Sequence, residues 1–398
     1  AIKMAKSRTM ISVSWSLTRQ DHGEQGFWAA ITVAAMLGQI GLPGGGFGFG
    51  YSATNHIGGQ FTVPPAAPFP QGKNPINTFI PVARISDLLL NPNTEFDFNG
   101  KKYRYPDTKI VYWAGGNPFH HHQDLNRLMR GWQKPETVIC HEWCWNSLAK
   151  RSDIVLPCTT PLEREDIALT PRDPYVVHMS KLTEPFAQSR NDFEIFKSLA
   201  QRMNVENNFT EGRTAEEWLR WIYCGTRKNA EGLKLEMPSY DHFLDHGWFK
   251  FEPPERPVVM LEDFRLDPIK NRLSTPSGKI EIFSANVAAF DYEDCPGFPS
   301  WIEPCEWLGN TKSKYQLHLI SNQPKDKLHS QLDHGSVSQA NKINGREPIH
   351  IHPDDAKFRS LENDDLVKVH NSRGSCFASV RLDSGIREGV VQMSTGAW

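Results

Sequence analysis

A short apolar run followed by two glycines is the most informative pattern in this chain. Ile110–Trp113 is rich in β-branched and aromatic residues, which predicts a buried parallel strand. Gly115 and Gly116 allow a sharp turn and the close approach of a ligand to the backbone. Asn117 and Pro118 then predict the start of a helix. The positive end of such a helix is a candidate anion site, most often for a phosphate, and an ordinary strand-to-helix turn is an equally open alternative.

Periodicity predicts further elements on both sides of this stretch. Strict alternation over Met10–Ser16 predicts a strand with Trp15 on its apolar face. A helical stripe over Glu24–Ile40 predicts a helix, begun by a capping box that pairs Asp21 with Glu24. Additional helices are predicted over Ile85–Leu90, Ser189–Gln201 and Ala215–Trp221, and hairpins are predicted around Asn99-Gly100 and Ser277-Gly278.

Three predicted strands in a row end in polar, loop-type residues. The strands end at Trp113, Cys140 and Leu156, and they alternate with helices at short spacing, which predicts an α/β fold with a doubly wound, mostly parallel sheet. Glu142 and Thr160 follow the second and third strand ends. Because the carboxyl ends of parallel strands meet at one edge of a sheet, this pattern predicts a crevice for an extended ligand.

The pattern changes near residue 312, where short strands with turns between them replace the alternation of strands and helices. This predicts a small β-barrel domain, which stops without a closing strand and therefore suggests a truncated chain. Its predicted strands are Tyr315–Ile320, Ile349–His352, Leu366–Val369, Cys376–Leu382 and Val390–Met393. We accordingly divide the chain into an α/β region over residues 1–305 and a barrel domain over residues 306–398.

Composition narrows the function class. The 398 residues are 39% hydrophobic and 23% charged, with a net charge of −2, which is typical of globular proteins and does not favour nucleic-acid binding. No run approaches the roughly 18 apolar residues that a membrane-spanning helix needs. The first residues, AIKMAKSRTM, do not resemble a signal peptide and begin without an initiator Met, which suggests a piece of a longer protein.

The cysteines do not form a recognisable framework or metal site. Seven cysteines scattered over a long chain do not predict a set of disulfides. A zinc or iron–sulfur site would need a second set of ligands spaced like Cys140 and Cys144, and the sequence has none. Buried or partly buried thiols are therefore expected for most of them.

Familiar catalytic and nucleotide motifs are missing. The glycine-rich stretch 41–59 contains Gly46-Phe47-Gly48, but Tyr51 stands where G-x-G-x-x-G needs its third glycine, and the stretch follows a predicted helix. It is predicted to be a loop, either against a ligand or on the surface. There is no G-x-S-x-G and no H-E-x-x-H. His120, His121 and His122 are adjacent, so their side chains point in different directions and do not predict a shared metal ion.

Five long blocks carry a resemblance to a known family. The blocks are SWSLTRQDHGEQ (14–25), WAGGNPFHHHQD (113–124), RSDIVLPCTTPLERED (151–166), SRNDFEIF (189–196) and LISNQPKDKLHSQLD (319–333). Together they resemble the molybdopterin oxidoreductases of the dimethyl sulfoxide reductase family, and within it the single-subunit S-oxide and N-oxide reductases. The resemblance implies a C-terminal barrel of double-psi type, and a cofactor in which molybdenum is held between two molybdopterin guanine dinucleotides.

The resemblance also implies which residues contact this cofactor. Glu142 suits ribose hydroxyls, and Asp192 suits the N–H edge of guanine, although capping of the helix that begins there is a serious rival for Asp192. Asn322 and His329 lie in the block that reaches the pterins from the barrel domain. The full set of expected cofactor contacts is Gly116, Asn117, His121, Gln123, Glu142, Thr160, Asp192, Asn322, His329, Ser330 and Gln331.

Two further residues match the family's substrate funnel. Arg19 is expected to hydrogen-bond the oxide oxygen and Trp15 to wall the pocket, with a core aromatic as the plain alternative for Trp15. The serine that ligates molybdenum in these reductases belongs to an N-terminal part that this sequence does not include, so no metal ligand is assigned. The segment Tyr51–His56 differs from the aromatic-rich loop expected near the funnel.

The resemblance implies molybdenum-dependent reduction of an S-oxide or N-oxide by oxygen-atom transfer. Electrons would come from a cytochrome or a thiol-redox protein, in the bacterial periplasm or cytoplasm, with the periplasm favoured; no nucleic acid or membrane-spanning segment is expected. This chain alone is expected to be inactive. The alternatives are a truncated, non-catalytic module that binds a guanine dinucleotide, and a family member that acts on another oxyanion or in the oxidative direction.

Overall fold

The strands and helices of the computed structural model group into two units, each built from separate stretches of chain. The structure describes residues 2–50, 63–76, 78–170, 173–253 and 255–398. The first unit consists of Ala1–Ile76, Asp97–Lys102 and Thr159–Pro304, and the second consists of Asn77–Phe96, Tyr103–Cys158 and Cys305–Trp398. The division between residues 305 and 306 stays a prediction.

In the first unit, the strand at Met10 is shorter than the alternation predicts. Strand β1 (Met10–Val13) ends where the Ser14 hydroxyl accepts a hydrogen bond from the Ser16 backbone N–H, which starts a 3₁₀ helix over Trp15–Arg19. The prediction that Trp15 lies on the strand face is therefore wrong. The side-chain cap supplies a local alternative to the sheet ladder, which a period-two pattern does not reveal.

The glycine-rich stretch contains a strand. Gly46–Phe49 forms β2, which runs parallel to β1 with Met10 opposite Gly46. The prediction of a continuous loop is therefore wrong for these residues. Gly46 and Gly48 are buried, and Phe47 and Phe49 are partly covered, so alternating glycine and phenylalanine form a strand whose buried positions carry no side chain. Residues 51–59, and with them the expected difference at Tyr51–His56, lie outside the described residues.

Helix α1 is Ile2–Ala5, and helix α2 is Gly23–Met36. The start of α2 is fixed by close packing against a neighbouring segment, and the predicted capping box is wrong. Its N-cap is His22, which lies in the left-handed region with φ of 54° and makes no side-chain cap. A Cβ on Gly23 would lie 1.7 Å from the carbonyl oxygen of Leu17. Glycine is needed at this position because the 3₁₀ helix over Trp15–Arg19 passes directly against the helix start.

The rest of the first unit is an antiparallel sheet with helices. Strands β8 (Asp166–Leu169), β9 (Tyr175–Met179) and β10 (Trp248–Lys250) pair in the order β10-β9-β8. The core of this region buries Val176, Tyr223, Ala230, Met237, Tyr240, Phe243 and Phe251. The helices are α5 (Asp192–Arg202), α6 (Glu206–Thr210), α7 (Ala215–Gly232), α8 (Tyr240–His246), α9 (Glu262–Leu266) and α10 (Ala285–Ala288).

The hairpin predicted around Ser277-Gly278 is wrong, because residues 273–283 form no strand. The backbone N–H of Leu273 donates to the carbonyl of Gly278, which closes a turn without pairing the flanking residues. The hairpin predicted around Asn99-Gly100 is confirmed by β3 (Glu95–Phe98) and β4 (Lys101–Arg104). Asn99 and Gly100 both have positive φ, as a two-residue hairpin turn requires.

The second unit contains the parallel sheet predicted from the apolar runs. Strands β5 (Ile110–Ala114), β6 (Thr137–Glu142) and β7 (Ile154–Pro157) are parallel and adjacent in that order. The prediction that β5 is a buried strand is wrong: Ile110 is 60% exposed, since β5 lies at an edge of this sheet within the described residues. Ile154 of the other edge strand, β7, is 45% exposed. Helices α3 (Ile85–Leu90) and α4 (Leu125–Trp132) contribute side chains to the core on this sheet.

The C-terminal residues of this unit form one five-stranded mixed sheet in the order β11-β15-β12-β14-β13. All five predicted strands are confirmed with small shifts of their ends. The core of the sheet buries Ile349, Ile351, Ala356, Ala378, Val380 and Val391. The elements are β11 (His318–Ile320), α11 (Ser336–Ala340), β12 (Pro348–Ile351), α12 (Pro353–Phe358), β13 (Leu366–His370), β14 (Ser375–Leu382) and β15 (Val390–Met393).

The coarse fold class is therefore confirmed as a mixed α/β chain with parallel sheets and a curled C-terminal sheet. Within the described residues, the seven cysteines form no disulfide; Cys224, Cys305 and Cys376 are exposed, and the other four are buried or partly buried. None of the helices in the described ranges combines the length and the apolar character that a membrane span requires.

Candidate functional site

The turn after β5 has the backbone shape that its glycines predict. Gly115 and Gly116 have φ of 82° and 77°, and no atom of the described residues would lie within 4 Å of a Cβ on Gly115, so the turn borders open space there. The helix that follows is in two pieces, which corrects the prediction of one continuous helix. A 3₁₀ turn over Pro118–His120 is capped by Asn117, and α4 starts separately at Leu125 with Asp124 as its cap.

Asn117 carries a buried side-chain amide of which only the oxygen is hydrogen-bonded within the described residues. Its side chain is 7% exposed, and its Oδ1 accepts a hydrogen bond of 3.1 Å from the backbone N–H of Phe119. Among the described residues, its Nδ2 has no hydrogen-bond partner. A buried amide donor without a partner costs roughly 1–3 kcal/mol, so its presence beside the open glycine turn fits a ligand that supplies an acceptor.

Glu142 is the last residue of β6, which runs two residues further than the sequence predicts. It is 8% exposed, and its Oε1 accepts a hydrogen bond of 2.6 Å from the Asn146 side chain. Asn146 is itself held in place, because its Oδ1 caps the backbone N–H groups of Leu148 and Ala149. Burial raises the pKa of Glu142, against the opposing effect of the Asn146 hydrogen bond. No sequence pattern singles out Asn146.

Two histidines bring the segment after the glycine turn into contact with the segment that precedes the C-terminal strand β12. The imidazole rings of His121 and His329 have centroids 4.9 Å apart. Burial, and to a lesser extent the nearby His329, lower the pKa of His121. The fold therefore brings together two blocks that are far apart in sequence, and it does so within one unit. Gln123 and Gln331 are exposed, and Ser330 is buried at 7% exposure.

Asn322 forms a second place where buried polar atoms lack partners. Its Nδ2 donates to the Ser394 hydroxyl at 3.3 Å, and its backbone carbonyl accepts from the Thr395 N–H at 2.9 Å. Within the described ranges, neither the Oδ1 of Asn322 nor the hydroxyl of Thr395 has a hydrogen-bond partner. These groups can donate to and accept from a polar ligand. Thr395 is not among the residues predicted from the sequence.

A buried ion cluster stabilises the segment that carries His329. The carboxylate of Asp333 is 2% exposed and is paired with the ammonium groups of Lys327 and Lys342, the latter at 2.6 Å. The backbone N–H of Trp398 also donates to it, at 3.0 Å. Burial alone would raise the pKa of Asp333, but the hydrogen bonds from Lys327, Lys342 and the Trp398 backbone, with the charge of Lys327, together lower it. Sequence reasoning missed these lysines, because charged side chains are usually solvated.

His120 is a neutral histidine held beside this cluster. Burial lowers the pKa of His120 to about 4, and the nearby Asp333, which raises it, offsets only part of that shift. The positive charges of Lys327 and Arg151, together with His121, lower the pKa further. The His120 Nε2 lies 3.2 Å from the hydroxyl of Ser147.

This histidine predicts a pH dependence of stability. An unfolded histidine has a pKa of about 6.5, so between that pH and about pH 4 the unfolded state binds a proton that the folded state does not. The free energy of unfolding is expected to fall by up to about 3 kcal/mol as the pH drops through this window. Denaturant titrations at several pH values should show this fall in the wild type, and a smaller fall in His120→Gln. Parallel profiles would contradict the assignment.

The other candidate residues lie in the first unit. Trp15 and Arg19 are exposed and share one 3₁₀ helix, and a Cβ on Gly50 would lie 2.5 Å from the Trp15 ring. The N–H and hydroxyl of Thr160 both donate to Glu163 Oε2, at 2.7 and 2.9 Å. Backbone hydrogen bonds, first of all from Thr160, lower the pKa of Glu163.

Asp192 is the first residue of α5 in the same unit. The N-cap is Asn191, which makes no side-chain cap hydrogen bond. The Asn191 side chain instead accepts a hydrogen bond of 2.8 Å from the hydroxyl of Thr159. The N-cap position, which the rival prediction gave to Asp192, is therefore occupied by Asn191.

Comparison with known proteins places these residues in a family context. The family model described as molybdopterin oxidoreductase matches residues 1–202, and the model described as molydopterin dinucleotide binding domain matches residues 317–398. The second match covers the segment with Asn322, His329 and the buried ion cluster.

Several curated relatives are similar over almost the whole chain. The biotin sulfoxide reductase of Cereibacter sphaeroides is 44% identical over 99% of this chain and 53% of its own length. The dimethyl sulfoxide/trimethylamine N-oxide reductase of Rhodobacter capsulatus is 40% identical over 98% of this chain and 49% of its own length. The trimethylamine-N-oxide reductase of Haemophilus influenzae is 43% identical over 100% of this chain and 50% of its own length. This chain thus spans about half the length of the curated relatives it matches.

A solved structure shares the fold. The acetylene hydratase from Pelobacter acetylenicus matches with a TM-score of 0.58 and 18% sequence identity, over 74% of this chain and 38% of that one. At 18% sequence identity, this similarity is evidence for the fold alone.

Proposed function

Because this chain belongs to the molybdopterin oxidoreductase family, we propose that the protein reduces an S-oxide or an N-oxide by oxygen-atom transfer. The resemblance carried by the five blocks is confirmed, and the two family models indicate a molybdenum cofactor that carries a molybdopterin guanine dinucleotide. The substrate class is inferred from relatives named as reductases of biotin sulfoxide, dimethyl sulfoxide and trimethylamine N-oxide. When bound, the molybdenum centre supplies the two-electron chemistry, and the protein supplies orientation and charge.

The contact between His121 and His329 is the observation that carries the assignment of the cofactor site. It supports a site built jointly by the glycine turn after β5 and by the C-terminal sheet region. The Nδ2 of Asn117 and the Oδ1 of Asn322 have no partner among the described residues, and they fit a ligand with both acceptors and donors, as a dinucleotide has. The open space at Gly115 fits the close approach of such a ligand to the backbone.

We assign the individual cofactor contacts on this basis. The carboxylate of Glu142, which Asn146 positions, accepts hydrogen bonds from ribose hydroxyls. Asp192 accepts from the N–H edge of guanine. The remaining contacts are Gly116, Asn117, His121, Gln123, Thr160, Asn322, His329, Ser330 and Gln331. The hydroxyl of Thr160, whose proton is donated to Glu163, can accept a hydrogen bond from a ligand N–H or O–H.

Trp15 and Arg19 are proposed as the substrate contacts. The guanidinium of Arg19 presents several N–H donors, which suits the polar oxygen of a sulfoxide or N-oxide. The exposed Trp15, which lies against Gly50, is proposed to wall the substrate pocket. An electron-donor protein, either a cytochrome or a thiol-redox protein, completes the proposed cycle.

The finer features of the fold belong to the same proposal. We infer that the C-terminal sheet, with its mixed pairing, is part of a double-psi barrel, and that the parallel strands belong to a doubly wound sheet. A domain boundary at residues 305 and 306 is part of this proposal.

The proposed function predicts a large effect at Arg19. In the molybdenum-loaded holoenzyme, Arg19→Gln is expected to lower kcat/KM for dimethyl sulfoxide or trimethylamine N-oxide by about tenfold to a hundredfold. This corresponds to the loss of a charged hydrogen bond of roughly 1.5–3 kcal/mol. The measurement is oxidation of a reduced artificial electron donor by each oxide, with molybdenum and guanine content determined per chain.

Gln20→Ala is the matched control for this experiment, since Gln20 is exposed and follows Arg19 directly. It should change neither the rate nor the cofactor content. A protein that reduces these oxides without molybdenum would overturn the proposed function. Equal rates for Arg19→Gln and the wild type would overturn the role of Arg19 alone.

A further inference from the structure

The segment that carries His329 is closed into a loop by the residues at its two ends. Lys327 precedes His329 by two positions, Asp333 follows it by four, and the side chains of Lys327 and Asp333 form an ion pair. Lys342 binds the other carboxylate oxygen of Asp333 at 2.6 Å, and Glu347 lies 3.6 Å from the Lys327 ammonium. The four charges sum to zero, and the two lysine side chains are only 4% and 7% exposed.

The backbone inside this loop is held in an unfavourable conformation. His329 and Leu332 have φ of 52° and 56°, in the left-handed region that residues with side chains rarely adopt. Such conformations carry strain and persist only where the surroundings enforce them. The ion pair that brackets both residues is therefore placed to enforce the loop shape.

The C-terminal residues hold the same loop from outside. The Trp398 indole N–H donates to the carbonyl of Ser330 at 2.8 Å, and its backbone N–H donates to Asp333. A Cβ on Gly396 would lie 2.1 Å from the carbonyl oxygen of His329, so only glycine permits this approach. The loop is thus fixed on both sides of the His329 side chain.

Burying the charged side chains of Lys327, Asp333 and Lys342 does not by itself make the fold more stable. Well-packed apolar residues in place of a buried ion pair are often as stable or more stable. What the charges add is a defined geometry, since Asp333 accepts from three donors in fixed directions. Because His329 lies between Lys327 and Asp333 in the sequence, the same geometry orients His329, whose ring lies against His121.

We propose that Lys342 and Lys327, acting through Asp333, are positioning residues that hold the His329–Ser330 segment in the conformation that retains the molybdopterin guanine dinucleotide. This inference rests on the proposed function, because it takes the His329 segment as a cofactor contact. The lysines act through the loop and touch no cofactor themselves.

The test uses a variant that removes one buried pair without leaving a net charge. In Asp333→Asn/Lys342→Met, Lys327 keeps Glu347 as its partner. The matched control, Glu306→Gln/Arg373→Met, removes a pair that is about half exposed in the same unit. Hydrogen exchange of residues 327–334 is measured by mass spectrometry, with residues 366–370 as the internal reference. Release of guanine and molybdenum from the holoenzyme is followed below both melting temperatures.

We expect exchange of residues 327–334 and the cofactor release rate each to rise at least tenfold in the double variant, and neither to change more than twofold in the control. Should the variant not fold, Lys327→Met/Glu347→Gln, which keeps Asp333 paired with Lys342, is expected to give the same two increases. Unchanged exchange overturns the proposal, and so does faster exchange with unchanged release, which would show a merely structural role. A wild-type protein that binds neither guanine nor molybdenum would instead refute the proposed function, and the inference with it.

Discussion

Replacing Asp333 alone with asparagine is expected to lower the free energy of unfolding of the second unit by about 3–5 kcal/mol. The change keeps the shape of the side chain but removes the negative charge that two buried ammonium groups share. Glu347 then remains as the acidic partner of Lys327, at 3.6 Å. The cost arises from the uncompensated buried charge, since the side chains of Lys327 and Lys342 are only 4% and 7% exposed.

Denaturant unfolding followed by circular dichroism measures this loss. The control is Glu306→Gln, which breaks the pair with Arg373 at the surface, where both side chains are about half exposed. That change should cost no more than about 1 kcal/mol. A loss for Asp333→Asn as small as that of the control would show that the cluster is hydrated in solution.

Leu128→Ala is expected to destabilise the second unit by about 2–5 kcal/mol. Leu128 is 0% exposed and belongs to the core cluster that also contains Phe119, Trp132 and Val138. Truncation removes apolar contacts and leaves a cavity that the rigid aromatic neighbours cannot fill. Because Phe119 belongs to both the core and the turn capped by Asn117, the change should also loosen the turn.

Met129→Ala is the matched control, because Met129 is the next residue of the same helix, has a side chain of similar size and is 39% exposed. Its loss should stay below about 1 kcal/mol. Thermal and denaturant unfolding of the two variants, compared with the wild type, provide the measurement. Equal losses would mean that α4 does not use Leu128 as its core anchor.

Local patterns in the sequence predicted several elements of both units. The apolar run at Ile110, the turn at Asn99-Gly100 and the five C-terminal strands all have the predicted type, because strand preference and turn chemistry act over a few neighbouring residues. The five blocks also established the family, which the family models confirm.

Other features depended on partners that are distant in the chain. The strand Gly46–Phe49 exists because β1 pairs with it, and α2 begins at Gly23 because Leu17 lies against it. The meeting of His121 with His329 could not be predicted from either block, since no local pattern reports which residues a fold brings together.

The amino-acid sequence alone was sufficient for the family, for most element types and for naming the candidate residues of the site. Folding in three dimensions is what buries Lys327 and Lys342 and leaves Asn117 and Asn322 with partnerless polar atoms within the described residues. A buried charge or amide is tolerated according to the partners around it. Those partners are supplied by residues far away in sequence, so the cost and its compensation become visible only when the chain is folded.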